Sequence, residues 1–293
     1  DSGLIRNAPE YRQTYVYGNV LIKQDGGNNQ AVHYGGDSGT TANYRKGKLY
    51  FYNNTLYSIR AGTTVVMRLS TNEEQADARN NIFFNTAVGT NLAMLAEAGT
   101  LSLANNWAKT GWRNSHEGGG FAGTVSGGST TVAGAAPGFM DASVQDFRLL
   151  SSSAAINAGT GLSPDVLTSH NILRSYVPHQ SSEVRPTGGA LDIGAFEYAA
   201  AAPMQIDTIS LPAAVRLRAY SQTLQASGGS GTYLWSVSSG SLPAGLYLDP
   251  STGTLSGRPR MSGISSVTVT VQDEQNALLT VSKQFTLNSR LHF

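Results

Sequence analysis

The chain has 293 residues, of which 40% are hydrophobic and 13% charged, with 33 glycines, no cysteine and a formal net charge of +1. The length allows two domains with buried cores, and the glycine-rich, charge-poor balance is that of turn-rich β structure rather than helical bundles. The near-zero charge, with no Lys/Arg run longer than two residues, argues against nucleic acid as a partner. The missing cysteines exclude disulfides and thiolate metal sites, and no apolar run approaches the ~20 residues that span a bilayer.

Asp1-Ser2-Gly3 reads as the inside of a longer protein, with further coils expected before it. A phrase then returns four times: Tyr17-Gly18-Asn19-Val20-Leu21-Ile22, Tyr52-Asn53-Asn54-Thr55-Leu56-Tyr57, Arg79-Asn80-Asn81-Ile82-Phe83-Phe84 and Ala104-Asn105-Asn106-Trp107. The aligned Asn19, Asn54, Asn81 and Asn106 are 35, 27 and 25 residues apart. A short strand, an Asn turn and another short strand at this period predict a parallel β-helix. Thr14–Tyr17, Leu49–Tyr52, Val65–Leu69 and Ile82–Phe84 carry the β-branched and aromatic residues that strands favour. Met94–Leu103 reads as two strands around Ala98-Gly99-Thr100. Asparagine suits the repeated turn because it tolerates the left-handed conformation, and the repeat predicts a buried ladder of amides bonded coil to coil. Residues 109–136 break the pattern with Glu117-Gly118-Gly119-Gly120 and Ser126-Gly127-Gly128-Ser129, and are expected to form a loop excursion or irregular coil.

Three phrases follow in order: Pro137-Gly138-Phe139, Ser153-Ala154-Ala155-Ile156-Asn157-Ala158-Gly159 and Asp192-Ile193-Gly194-Ala195-Phe196-Glu197. Together they resemble the C-terminal end of bacterial right-handed parallel β-helix proteins of the pectate-lyase-like superfamily. The resemblance covers roughly residues 10–198 and implies a right-handed solenoid over 1–198. Asp192 and Glu197 are expected to fix the last turns through backbone and Arg185 contacts rather than to act chemically.

Ala199–Pro203 reads as a linker. Residues 204–293 then read as an all-β sandwich, with turns at Gly228-Gly229, Pro243-Ala244-Gly245 and Asp249–Gly253. Trp235-Ser236-Val237, Gly240–Leu246 and Thr252–Pro259 resemble the Ig-like, cadherin-like repeat of many bacterial surface proteins. Arg216-Leu217-Arg218 departs from that pattern, since a glycine is commoner there. Trp235 is expected in the sandwich core. Cadherin relatives hold calcium with carboxylates, so calcium is the one cofactor this resemblance allows. Asp207, Asp249, Asp273 and Glu274 are nevertheless scattered, with no Asp-x-Asp run. The fold class is thus all-β: a right-handed parallel β-helix solenoid followed by an Ig-like β-sandwich.

Candidate chemistry comes from the repeat register. His33 lies 14 residues after Asn19, and Arg68 lies 14 after Asn54. With Val65, Met67 and Leu69 pointing inward, Arg68 points outward, with His33 about 5 Å away on the same face. The third coil puts Leu95 at that place. Polyuronate lyases need a base and a cation that neutralises the carboxylate. The superfamily resemblance brings that chemistry into view, with His33 as base, Arg68 as neutraliser, and Lys23, Arg45, Lys46 and Lys48 as substrate-binding neighbours. Trp112, Arg113 and His116, beside Glu117, form a second candidate sugar site. Asp25, Asp37, Glu73, Glu74, Asp77, Glu97, Glu117, Asp141 and Asp146 form no paired-aspartate signature, which argues against inverting hydrolysis. The five histidines, His33, His116, His170, His179 and His292, have no metal-ligand spacing. The favoured expectation is a secreted or cell-surface protein whose β-helix binds polysaccharide or partner proteins, with an Ig-like spacer or adhesion module. A polysaccharide lyase acting on a uronate polymer and a structural stalk or filament subunit are the alternatives.

Overall fold

The computed structural model describes residues 5–6, 8–177, 181–186, 189–199, 203–274, 277 and 279–291. His179, His292 and residues 200–202 of the expected linker lie outside these. The chain divides into two compact units, Asp1–Ala199 and Ala200–Phe293.

In the first unit the strands run β1 (Gln13–Tyr17), β2 (Val20–Lys23), β3 (Gln30–Tyr34), β4 (Gly47–Tyr52), β5 (Thr55–Ser58), β6 (Thr64–Leu69), β7 (Glu74–Arg79), β8 (Ile82–Asn85), β9 (Leu92–Glu97), β10 (Thr100–Ala104), β11 (Trp107–Lys109), β12 (Thr124–Ser126) and β13 (Val132–Gly134). They sort into three sheets, β1-β4-β7-β10-β12, β2-β5-β8-β11-β13 and β3-β6-β9, and every pairing is parallel. The chain visits the sheets in rotation, so each pass stacks on the one before. The interior is a single apolar column that includes Leu49, Phe51, Leu56, Met67, Phe83, Met94, Leu95 and Leu101.

The turn between the first and second sheets splits its work between two residues. Gly18, Asn53, Asn80 and Asn105 take the left-handed conformation, with φ of 69°, 50°, 56° and 47°. The following residues, Asn19, Asn54, Asn81 and Asn106, form the ladder. In the middle of it, Asn81 Oδ1 accepts from Asn54 N (2.9 Å) and Asn54 Nδ2 (3.1 Å), while Asn81 Nδ2 donates to Asn106 Oδ1 (2.9 Å) and Phe51 O (2.7 Å). The left-handed turn is therefore borne by the residue before the aligned asparagine, not by that asparagine itself.

Two further expectations are corrected. Residues 109–136 are not one excursion, because β12 and β13 continue the first two sheets. Arg113 also extends the third, through a parallel bridge to Ala93. The residues that leave the coil are those just after Asn114. Their chain folds back over the third sheet, where His116 Nε2 comes within 3.3 Å of Asn29 Nδ2 and Glu117 Oε2 accepts from Glu97 N at 2.9 Å. In that sheet, Val65 does not join the interior. It is buried with Ala93 and Ala96 in a cluster apart from the column, whereas Val66 and Met67 both face the column. Two consecutive inward residues break the period of two that the sequence pattern assumes.

After β14 (Phe139–Asp141) and β15 (Asp146–Leu149), an antiparallel pair, the chain returns along the outside of the coils. A short helix, Pro164–Leu167, and the pair β16 (Arg174–Val177) and β17 (Ser181–Val184) lie on this return. The outward asparagines dock it: Asn53 Nδ2 donates to Asp192 O (2.8 Å), Asn80 Nδ2 to Thr160 O (2.8 Å) and Asn105 Nδ2 to Ala158 O (3.0 Å). Arg185 donates to Glu197 Oε1 (3.0 Å) and Ala195 O (2.7 Å), and Asp192 accepts from Asn157 N (2.6 Å) and Tyr198 N. These two acids thus secure the last turns. Burial, only partly offset by Arg185, raises the Glu197 carboxyl above its ordinary value.

The second unit contains β18 (Gln205–Ile206), β19 (Ala214–Val215), β20 (Tyr220–Thr223), β21 (Ala226–Ser227), β22 (Tyr233–Gly240), β23 (Leu246–Leu248), β24 (Thr254–Gly257), β25 (Gly263–Asp273) and β26 (Thr280–Arg290). Sheets β19-β26-β25-β22 and β20-β24-β23 contribute to a core of Trp235, Leu224, Val267, Val269, Val271 and Phe285. Leu217 sits at φ 60° in the turn before β20, where the sequence has a leucine in place of the commoner glycine.

Candidate functional site

The first sheet alternates cleanly. Leu49, Phe51, Ala76, Ala78, Leu101 and Leu103 face the column, which sends the intervening residues outward. Strand pairing then aligns two outer rows. Gln13, Lys48, Gln75, Thr100 and Thr124 stand in register, one per coil, about 4.8 Å apart. Beside them run Tyr15, Tyr50, Asp77, Ser102 and Ser126. Gln13, Gln75, Thr100, Ser102, Thr124 and Ser126 are exposed.

At the other end of this face the return segment closes over the tyrosines. Leu162, Val166 and Ile172 bury Tyr50 and Tyr52. His170 stacks on Tyr15 with centroids 3.8 Å apart, and Tyr15 stacks on Tyr50 at 5.1 Å. Asp165 arrives from the short helix, accepting from Tyr50 Oη at 3.0 Å. Asp77 accepts from Tyr52 Oη (2.7 Å) and Arg79 Nε (2.9 Å). The Lys48 ammonium lies 3.9 Å from Asp77, 4.0 Å from Asp165 and 4.7 Å from the Tyr50 ring centroid. Burial, then the bond to Asp165, push the Tyr50 phenol up to about 12. Burial and Asp77 hold Tyr52 further above the ordinary phenol range. Both tyrosines are therefore neutral donors. Asp77 is fixed by its partners, while Asp165 stays exposed beside the polar rows.

This arrangement can bind a hydroxyl-rich surface. Amide side chains present a donor and an acceptor together, hydroxyls do both, and the rows repeat each coil. Asp165 went unnoticed in the sequence because its role depends on a fold-back more than a hundred residues from Tyr50. The apolar residues flanking it, Leu162, Val166 and Ile172, were the available signal.

At the end of the third sheet, His33 pairs directly with Arg68, as the register implied. Arg68 pairs with Ala96, however, not Leu95. His33 Nε2 lies 2.8 Å from Ser70 Oγ, and His33 Nδ1 lies 3.3 Å from Asp37 Oδ2. Arg68 meets Asp37 Oδ1 at 2.6 Å and Glu97 Oε1 at 2.7 Å. Glu97 first, then Asp37, hold its guanidinium above the ordinary value. Arg68 is thus neutralised twice over within the protein, which removes the free cation a uronate would need.

The expected basic surround does not assemble. Lys23 ends β2 in the second sheet, beside Ser58. Arg45 lies over the Tyr11 ring at 4.3 Å and donates to Tyr11 O. Lys46 pairs with Glu73 and with buried Glu74, each at 3.3 Å. Lys48 belongs to the first sheet. Nor do Trp112, Arg113 and His116 form a sugar platform. Trp112 packs against the interior column, Arg113 continues the third sheet, and His116 holds the folded-back segment. Among the described residues, no group of three or more His, Asp or Glu side chains could hold a metal ion. No helix among them is long and apolar enough to cross a membrane.

Comparison with curated proteins returns no match. Two solved structures from Bacteroides fragilis, titled "putative alpha-galactosidase" and "putative alpha-galactosidase/melibiase", share 25% and 22% identity with this chain. Each alignment covers 30% of this chain and 17% of the other, with TM-scores of 0.26. Residues 202–290 match the family described as "Putative Ig domain", so three stacked parallel sheets are followed by a C-terminal Ig-like domain.

Proposed function

We propose that this chain is a secreted or cell-surface protein that binds a polysaccharide along the outer face of its first parallel sheet, with the Ig-like domain as spacer or adhesion module. The observation that carries this reading is the exposed, in-register row of amides and hydroxyls, Gln75, Thr100 and Thr124, with Gln13 and Lys48 completing it. Repetition along the coil axis suits a polymer, because each coil offers a hydrogen-bonding side chain at the same register position to a further unit of the chain. The low charge of the face, where Lys48 is balanced by Asp77 and Asp165, favours a neutral sugar over a polyanion.

Affinity electrophoresis through gels carrying a panel of neutral and acidic polysaccharides tests it. Retardation on one neutral polymer is expected. Gln75→Ala with Thr100→Ala should weaken binding by roughly 5–30-fold, the loss of one or two hydrogen bonds at about 1 kcal/mol each. His33→Ala, on another sheet, should leave it unchanged. Retardation on no polymer, or retardation indifferent to the double substitution, refutes the reading.

A further inference from the structure

The residues at the end of the third sheet form a chain with a direction, two hydrogen bonds followed by two charge contacts. Gly36 N donates to Ser70 Oγ at 3.1 Å. That occupies an acceptor site on the hydroxyl and leaves its proton for His33 Nε2, 2.8 Å away. A histidine that accepts at Nε2 carries its own proton on Nδ1, and Nδ1 lies 3.3 Å from Asp37 Oδ2. Asp37 is held in turn through its other oxygen by Arg68, at 2.6 Å. Hydroxyl, imidazole and carboxylate thus stand in the order that activates a serine, the second contact as loose as in an unliganded site, and such a constellation is recognised by geometry rather than by chain order.

The backbone around it is bare for a reason. Gly35 has φ 130°, and a Cβ there would come within 2.4 Å of Ser70 Oγ. A side chain there would therefore push Ser70 Oγ out of reach of His33. His33 is exposed, Asp37 has 62% of its side chain accessible, and Ser70 is part-exposed.

We propose that Ser70, His33 and Asp37 are a nucleophile, base and positioning carboxylate that hydrolyse small carboxylic esters, such as acyl groups on the hydroxyls of a polymer. Ser70 Oγ attacks the ester carbonyl carbon as its proton passes to His33 Nε2. The C–O bond to the alcohol then breaks, and the alcohol leaves with that proton. Water, deprotonated by His33, attacks the acyl-serine and releases the carboxylic acid and Ser70. No oxidant, metal or cofactor enters the balance. This activity uses a different sheet from the polysaccharide-binding face and stands independently of it.

The test is labelling of the full chain with a fluorophosphonate, located by peptide mass spectrometry, alongside hydrolysis of p-nitrophenyl acetate. A phosphonyl adduct on Ser70 is expected, formed by the folded but not the heat-denatured protein. Ser70→Ala should abolish hydrolysis above buffer, and His33→Asn should lower it on the order of 10²–10⁴-fold. Asp37→Asn should lower kcat with KM little changed, and Asp37→Glu should restore part of that loss; equal activity of the Asn and Glu variants would leave Asp37 a merely structural role and overturn its assignment as the positioning carboxylate. No adduct, an adduct elsewhere, or hydrolysis undiminished in folded Ser70→Ala overturns the proposal.

Discussion

Asn81→Ala is the sharpest probe of the stacked parallel sheets. Asn81 is fully buried, and its side chain makes four hydrogen bonds: two accepted from Asn54, two donated to Phe51 O and Asn106 Oδ1. Alanine removes all four and leaves the Asn54 N–H without its acceptor. At about 1 kcal/mol net per bond, with orphaned buried groups at the upper end of the range, the loss comes to about 3–5 kcal/mol. Asn19 gives the internal comparison. It is exposed, and its amide nitrogen donates to Tyr17 O and Asn54 Oδ1 where water can substitute, so Asn19→Ala should cost about 1 kcal/mol. Hydrogen exchange read peptide by peptide measures both, because it reports opening free energies locally and needs no single transition for two units. Peptides spanning 50–110 should lose protection in Asn81→Ala and keep most of it in Asn19→Ala, while peptides beyond 203 stay unchanged. Equal effects from the two substitutions would refute the reasoning, since they would mean that burial does not set the worth of a rung.

Leu217→Gly should stabilise the Ig-like domain by about 1 kcal/mol, because a leucine held at φ 60° is strained and this one is more than half exposed; an unchanged or lowered domain melting temperature contradicts this. Tyr50 gives a pH dependence. Its folded value of about 12 exceeds the ordinary 10, so the folded state holds the proton more tightly. Its contribution to stability is complete below pH 10 and is lost as pH rises toward 12. A phenolate absorbance titration should show a component near 12, with Tyr52 later still, that is missing in Tyr50→Phe and comes earlier in Asp165→Asn. A Tyr50→Phe difference curve centred near 10 would refute it.

The sequence made the ladder legible because geometry forces the same residue type to recur at the same corner of every coil. Asn54, Asn81 and Asn106 can each be found by the ones before. The division of labour with Gly18, Asn53, Asn80 and Asn105 was less visible, since asparagine serves both as left-handed turn residue and as rung. Three coils carry Asn-Asn, and only Gly18-Asn19 betrays which position needs the special backbone. Strand alternation placed His33 and Arg68 correctly but misread Val65, because the doubled inward step at Val66-Met67 has no mark in an all-apolar run. Asp165, Asp37 and Ser70 were illegible as partners. Each meets its neighbours through a fold-back or a loop whose path no periodicity encodes. The charges on Arg68 and Lys48 were visible, but the carboxylates that neutralise them came from other coils and from the return segment.

The coils differ in length while their rungs do not drift. The connection from the third sheet back to the first runs through residues 35–46 in one coil, 70–73 in the next and Ala98-Gly99 in the one after, yet Asn19, Asn54 and Asn81 each donate from N and Nδ2 to the Oδ1 of the next rung. One corner is thus clamped and another is slack. Lengthening the slack corner alters neither pitch nor stacking, so the scaffold can accept inserts there as a rack accepts fittings. Gly35, Gly36 and Asp37 belong to the longest of these inserts. Whatever chemistry this corner performs can be exchanged wholesale without renegotiating the column beneath it.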